Sequence, residues 1–89
     1  MKHFNIIVMG KVQGVFYRQS AKETAAWLGV NGFVSNEPNG TVYIEAEGTE
    51  QQLIRLVEWC RKGPANAAVS DVKVTEGALK NFSSFEIRR

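Results

Sequence analysis

The hydrophobic period of this chain changes between residues 9 and 17, and that change limits what it can fold into. Phe4 to Val8 is β-rich and apolar at both parities (Phe4, Ile6 and Val8 against Ile7), the pattern of a central strand. From Tyr17 the spacing is helical: Tyr17, Ala21, Ala25 and Leu28 share one face, with Lys22 and Glu23 turned outward. The junction reads G-K-V-Q-G-V-F-Y-R over residues 10–18, two glycines four apart and an arginine in the first helical turn. Gly10 is expected to end the strand and Gly14 to fold the turn.

Gly29 closes that helix, and Gly32 to Asn36 reads as a short second strand. Glu37-Pro38-Asn39-Gly40 is turn chemistry, with proline presetting one φ and Asn-Gly tolerating the left-handed residue of a hairpin. Thr41 to Glu47 alternates, Val42, Ile44 and Ala46 against Thr41, Tyr43, Glu45 and Glu47, which predicts one dry face and one wet face. Thr49-Glu50-Gln51-Gln52 is a capping box opening a helix whose buried stripe is Leu53, Leu56, Val57 and Cys60. Gly63-Pro64 stops it. A fourth strand is expected around Val69 to Thr75 and a short last one around Phe85 to Ile87.

The order β-α-β-β-α-β with right-handed crossovers predicts a ferredoxin-like α+β sandwich, an antiparallel sheet with two helices on one face. Residues 1–89 form one domain, too short for a second core. In this arrangement strands 1 and 2 run parallel with strand 3 between them. The turn after strand 1 and the carboxyl end of strand 2 then share one edge of the sheet, which brings Lys11 to Arg18 beside Asn36. Asn36 is expected at the end of a short edge strand.

A turn that opens a helix aims backbone N–H groups at one point, where the helix adds partial positive charge. Gly14 permits close approach, and Arg18 adds a fork of donors suited to phosphate oxygens. The Gly-Lys-Ser/Thr ending of a Walker loop is missing, and so are the third glycine and downstream acid of a dinucleotide fingerprint. The pattern alone fits an anion cradle and an ordinary tight connection equally well.

A net charge of +2, with no Lys/Arg run, gives a nucleic acid backbone nothing to follow but suits a small anion. The single cysteine excludes an internal disulfide and a cysteine-held metal. Met1-Lys2-His3 leads straight into a strand rather than a secretory signal, and no apolar run reaches membrane-spanning length, so a cytoplasmic protein without a membrane partner is expected.

The first motif, then L-G-V-N-G-F-V-S-N-E-P-N-G-T-V, R-K-G-P-A-N-A-A-V and the closing F-E-I-R, closely resemble the acylphosphatase family over essentially the whole chain. The resemblance implies hydrolysis of a small-molecule acyl phosphate to carboxylate and orthophosphate, in a monomer without cofactor or metal. It makes Arg18 the phosphate-binding catalytic arginine and Asn36 the residue that orients the attacking water. The backbone amides of Gln13, Gly14, Val15, Phe16, Tyr17 and Arg18 would form the phosphate loop. Tyr17 and Phe33 stand where the family more often has Phe and Trp, and Ser35 and Asn39 where Arg and Asp are common. Ser35 thereby removes a charge expected near the site.

Other residues read more plainly. His3 is expected to be solvated or at a sheet edge, Cys60 to be a small core residue, and Glu45 and Glu47 to lie on the wet face. Trp27 and Trp59 fit helix flank and core packing. Ile7, Met9 and Tyr43 are expected on the helix-free face. The competing function is a non-catalytic ferredoxin-like module that binds phosphate, RNA or a regulator. Sheet-face RNA readers need aromatics on central strands, where this chain offers Tyr43 flanked by Glu45.

Overall fold

The computed structural model describes residues 1–88, so the last residue of the expected 1–89 domain lies outside the described residues. The chain runs β1 (Lys2–Lys11), α1 (Tyr17–Leu28), β2 (Asn31–Asn36), β3 (Val42–Gly48), α2 (Glu50–Lys62), β4 (Ala68–Gly77) and β5 (Phe85–Arg88). The sheet order is β4-β1-β3-β2-β5. The first four strands pair antiparallel, and β5 adds itself to β2 in parallel register. β1 and β2 therefore run the same way on either side of β3. Because β5 covers its outer side, β2 is an interior strand, and Asn36 does not end an edge strand as the sequence suggested.

Strand side chains of one parity, Ile6, Val8, Val34, Val42, Ile44 and Ala46, are fully buried with Ala21 and Ala25 of α1 and Leu53, Leu56 and Cys60 of α2. Burying these apolar groups is the main favourable term. The two helices are tied as well as packed. The Tyr17 hydroxyl donates to the Cys60 carbonyl at 2.8 Å, and its ring tilts against Trp59 at 5.0 Å between centroids. Burial also pushes the Cys60 thiol up to about 12, so it stays a neutral core group. At the start of α2 the capping box is complete: Gln52 N–H donates to Thr49 Oγ1, and Thr49 N–H to Gln52 Oε1. Gln52 Nε2 then donates to the Leu28 carbonyl at the end of α1. Trp27 faces solvent on the helix flank.

Gly10 does not end β1. The strand continues through a bulge between Met9 and Gly10, and Gly10 pairs with Val69. At φ +118°, a Cβ added there would stand 2.2 Å from the Ala68 carbonyl oxygen, so a larger residue would push the two strands apart.

The expected wet face of β3 is the main correction. Glu45 and Glu47 are buried, and His3 is only 1% exposed, because residues 78–84 cross over them between β4 and β5. Glu47 accepts the amides of Lys80 and Phe82 and faces His3 Nδ1 at 2.7 Å. Glu45 takes the Tyr43 hydroxyl at 2.7 Å and the Lys80 ammonium at 2.8 Å, and faces His3 Nε2 at 3.2 Å. The cluster pins this irregular segment, together with the Phe82 ring packed against Phe33 and His3. Ile7 and Tyr43 do sit opposite each other on this side, as expected.

For Glu45 and Glu47, burial is the largest single influence and raises the carboxyls. The combined hydrogen bonds and neighbouring positive charge outweigh it, leaving both below the usual value of 4.5. A lowered folded-state value gives stability that is present above the unfolded value and lost as pH falls through the folded one. Thermal stability is therefore expected to fall as pH drops below about 4.5. Glu47→Gln should cost about 2 kcal/mol at neutral pH and weaken that acid dependence, as read by denaturant unfolding across pH. Unchanged stability in the variant would contradict the clasp.

Candidate active site

β1 feeds α1 through residues 12–16, and the joint is built unlike an ordinary helix start. Phe16, the N-cap, has φ +62° and ψ 25°, and no side chain caps the helix. The first turn holds no acidic residue. Ser20 N–H donates to the Phe16 carbonyl at 3.0 Å and opens the helical ladder. The amides of Tyr17, Arg18 and Gln19 precede that bond and have no intrahelical acceptor. They point out of the positive end of the helix dipole. α2, by contrast, has both capping-box bonds and Glu50 in its first turn.

Gly14 has φ +72°, and a Cβ added there would meet nothing within 4 Å. The left-handed backbone, not lack of room, is what calls for glycine. Gln13 does more than contribute an amide. Its Nε2 donates to the carbonyls of Glu37 and Thr41, each at 2.9 Å, fastening the turn before α1 to the turn after β2. Those carbonyls also accept backbone amides across the hairpin, from Gly40 and Glu37 respectively.

The fastening holds the two halves of one cavity together. Val12, Gly14, Phe16, Tyr17, Arg18 and Gln19 line it from the β1–α1 joint, Asn36 from the end of β2 and Ile87 from β5, around about 370 Å3. The cavity is at the small end of the range for ligand sites. Arg18 is half-buried and makes no ion pair or side-chain hydrogen bond among the described residues. Asn36 Oδ1 is buried without a hydrogen-bond partner, an expensive condition for an amide oxygen. The polar lining is thus a free guanidinium, free amides and an unpaired carbonyl oxygen. It can receive an anion and position a hydroxyl or water beside it.

Arg18, Asn36, Gly14, Phe16 and Tyr17 of the expected site line this cavity, while Val15 is buried next to it and Gln13 works as a strut. The Tyr17 ring is also the anchor to α2. Ser35 lies across the sheet. Alternation sets it opposite Val34 and Asn36, and its hydroxyl donates to Glu37 Oε2 at 2.9 Å. Ser35 does not line the cavity. The side chain of Gln13, the left-handed Phe16 and Ile87 were not singled out from sequence. The first needs long-range contacts to be seen, and a phenylalanine gives no signal for positive φ.

A ferredoxin-like sandwich whose uncapped helix start lies beside Arg18 offers a seat for a small anion. The acylphosphatase family model matches residues 4–87, and the chain belongs to that family. Acylphosphatase of Methylococcus capsulatus is 42% identical, with 100% of this chain and 98% of that protein covered. Acylphosphatase of Acaryochloris marina is 47% identical over 93% and 89%. Among solved structures, acylphosphatase from Bacillus subtilis superposes with a TM-score of 0.97 at 37% identity, each chain fully covered. HypF in a phosphate- and nucleotide-bound form gives 0.93 at 26% identity, over 99% of this chain and 12% of that one.

The strut makes a graded prediction. Gln13→Ala loses two donated bonds whose acceptors keep other partners, so it should destabilise by about 1 kcal/mol. Gln13→Glu sets a carboxylate against two carbonyl oxygens and should cost about 1–3 kcal/mol more. Denaturant unfolding of both variants checks the order, and equal stability of the two would contradict the contact.

Proposed function

We propose that Arg18 and the amides of residues 13–18 hold the phosphoryl group of an acyl phosphate while Asn36 holds the water that attacks it. The chain is an acyl phosphate hydrolase by its family and by relatives matched along nearly its whole length. The observation that carries the residue roles is one cavity combining an uncapped helix start, an unpaired arginine and an unpaired Asn36 oxygen.

The water oxygen forms a bond to phosphorus as the bond from phosphorus to the acyl oxygen breaks. The electron pair leaves with the carboxylate. A carboxylate is a good leaving group, so no strong general acid is required. Phosphoryl transfer chiefly needs positioning and compensation of spreading negative charge. Arg18 and the loop amides supply the compensation, with each well-placed donor worth about 2.7–4 kcal/mol. Asn36 cannot act as a base, because an amide has no useful basicity near neutrality. Its Oδ1 accepts a hydrogen bond from the water, and a phosphoryl oxygen takes the proton. This division accounts for catalysis by a cavity lined with no histidine, cysteine or carboxylate.

No helix among the described residues is long and apolar enough to cross a membrane. A cytoplasmic location suits an enzyme of small metabolite phosphates. The sheet face that an RNA reader would use is partly covered here by residues 78–84, which speaks against the non-catalytic RNA-binding alternative.

Arg18→Ala should weaken orthophosphate inhibition and lower kcat together, since the guanidinium meets phosphate in both ground and transition states. Asn36→Ala should lower kcat by about 10²–10³ and leave orthophosphate inhibition nearly intact, the sign of an interaction expressed in the transition state. Steady-state kinetics with orthophosphate as competitive inhibitor separates the two. Normal turnover in Asn36→Ala, or a loss of phosphate affinity matching Arg18→Ala, would remove Asn36 from the water.

A further inference from the structure

We propose that Asn39 is a self-modification site, converting through a cyclic imide to aspartate and isoaspartate while Asn31 in the same chain is protected. The chain holds two Asn-Gly pairs, Asn31-Gly32 and Asn39-Gly40, in opposite surroundings. The reaction open to such a pair is intramolecular. The glycine amide nitrogen bonds to the asparagine Cγ, and the Cγ–Nδ2 bond breaks. Ammonia leaves, carrying the proton that the glycine amide gives up. Water then opens the imide at one of its two carbonyls. Opening at Cγ gives aspartate, and opening at the main-chain carbonyl gives isoaspartate, with one more carbon in the backbone. No oxidant or cofactor takes part.

At Asn31-Gly32 both reacting groups are tied. The pair lies within β2, opposite Glu47 and Ala46 of β3. Gly32 N–H donates to the Ser84 carbonyl at 2.8 Å, and Asn31 Nδ2 to the Phe82 carbonyl at 3.1 Å. Gly32 is buried, and a Cβ added to it would collide with the Glu45 carbonyl, so the backbone has no room to turn. At Asn39-Gly40 the same groups are open. Both residues are exposed in the hairpin turn, and nothing stands within 4 Å of a Cβ at Gly40. Gly40 N–H is held by one turn bond to the Glu37 carbonyl at 3.0 Å, which a loop tip opens at little cost. Asn39 Nδ2, the leaving group, has no hydrogen-bond partner among the described residues. Its Oδ1 accepts Thr41 N–H at 3.1 Å and the Thr41 hydroxyl at 2.7 Å, two donors on the oxygen where negative charge gathers as the nitrogen adds. The products differ in consequence. Aspartate keeps that oxygen and both donors. Isoaspartate lengthens the backbone between Glu37 and Thr41, whose carbonyls are the two acceptors of Gln13 Nε2, and so loosens the strut.

Peptide mapping by mass spectrometry, on protein held in mildly alkaline buffer, reads both sites in one sample. In the folded protein Asn39 should convert to both acids, and Asn31 should convert about 100-fold more slowly, because its attack waits for the sheet to open. In guanidinium the two sites should react at similar rates. The isoaspartate form, separated from the aspartate form, should melt about 4–8 °C below unaged protein, while Asn39→Asp melts close to it. An Asn39 that persists in the fold as long as Asn31 does, or an Asn31 that converts as fast as Asn39, overturns the site. An isoaspartate form as stable as unaged protein, or an Asn39→Asp variant that melts as low as the isoaspartate form, overturns the link to the Gln13 strut.

Discussion

The free amides at the start of α1 are the constraint around which the molecule is arranged. A helix start leaves N–H groups that side chains, water or a ligand must satisfy. The chain satisfies them fully at α2, with a reciprocal capping box and an acidic first turn. At α1 it provides neither cap nor acid, and places Arg18 where a second positive group adds to the dipole. A cap is worth about 1 kcal/mol, and the left-handed Phe16 costs about 1–3 kcal/mol more. The domain gives up stability at one point, and that point faces the cavity.

The sheet makes this local arrangement useful. With β3 between two parallel neighbours, the end of β1 and the end of β2 open at one edge, so the start of α1 and Asn36 meet without any long loop. The bulge at Gly10 lets β1 continue beside β4 up to the joint. Gln13 then fixes the joint to the hairpin that follows Asn36. β5, by pairing with β2, brings Ile87 to the same cavity. On the far side of the sheet the His3, Glu45 and Glu47 cluster holds the segment leading into β5. A polar clasp remote from the cavity thus helps set one of its walls.

Much of this was legible in the residues because local rules and tertiary structure agree there. The period change at residue 17, the capping box at Thr49 and the Gly29 and Gly63 stops each mark an element boundary within a residue or so of where it falls. The strand order alone makes Arg18 and Asn36 neighbours, and both line the cavity. What stayed hidden depends on parts without a period. Residues 78–84 carry no alternation, so nothing announced that they would cover Glu45 and Glu47, whose own alternation reads as a wet face. β5 is four residues long, too short for its pairing with β2 to be read from pattern. The sidedness of Ser35 followed from alternation and was obscured by its adjacency to Asn36. Phe16 ran against propensity altogether, which is where functional strain is expected to sit.

The claim that the open start of α1 is the phosphate seat is tested most directly by following backbone amide resonances during an orthophosphate titration. The amides of residues 13–18 should shift together along one saturating binding curve, those at the capped start of α2 should stay still, and Arg18→Ala should weaken the curve. Saturating shifts that leave residues 13–18 unmoved and gather elsewhere on the fold would contradict it.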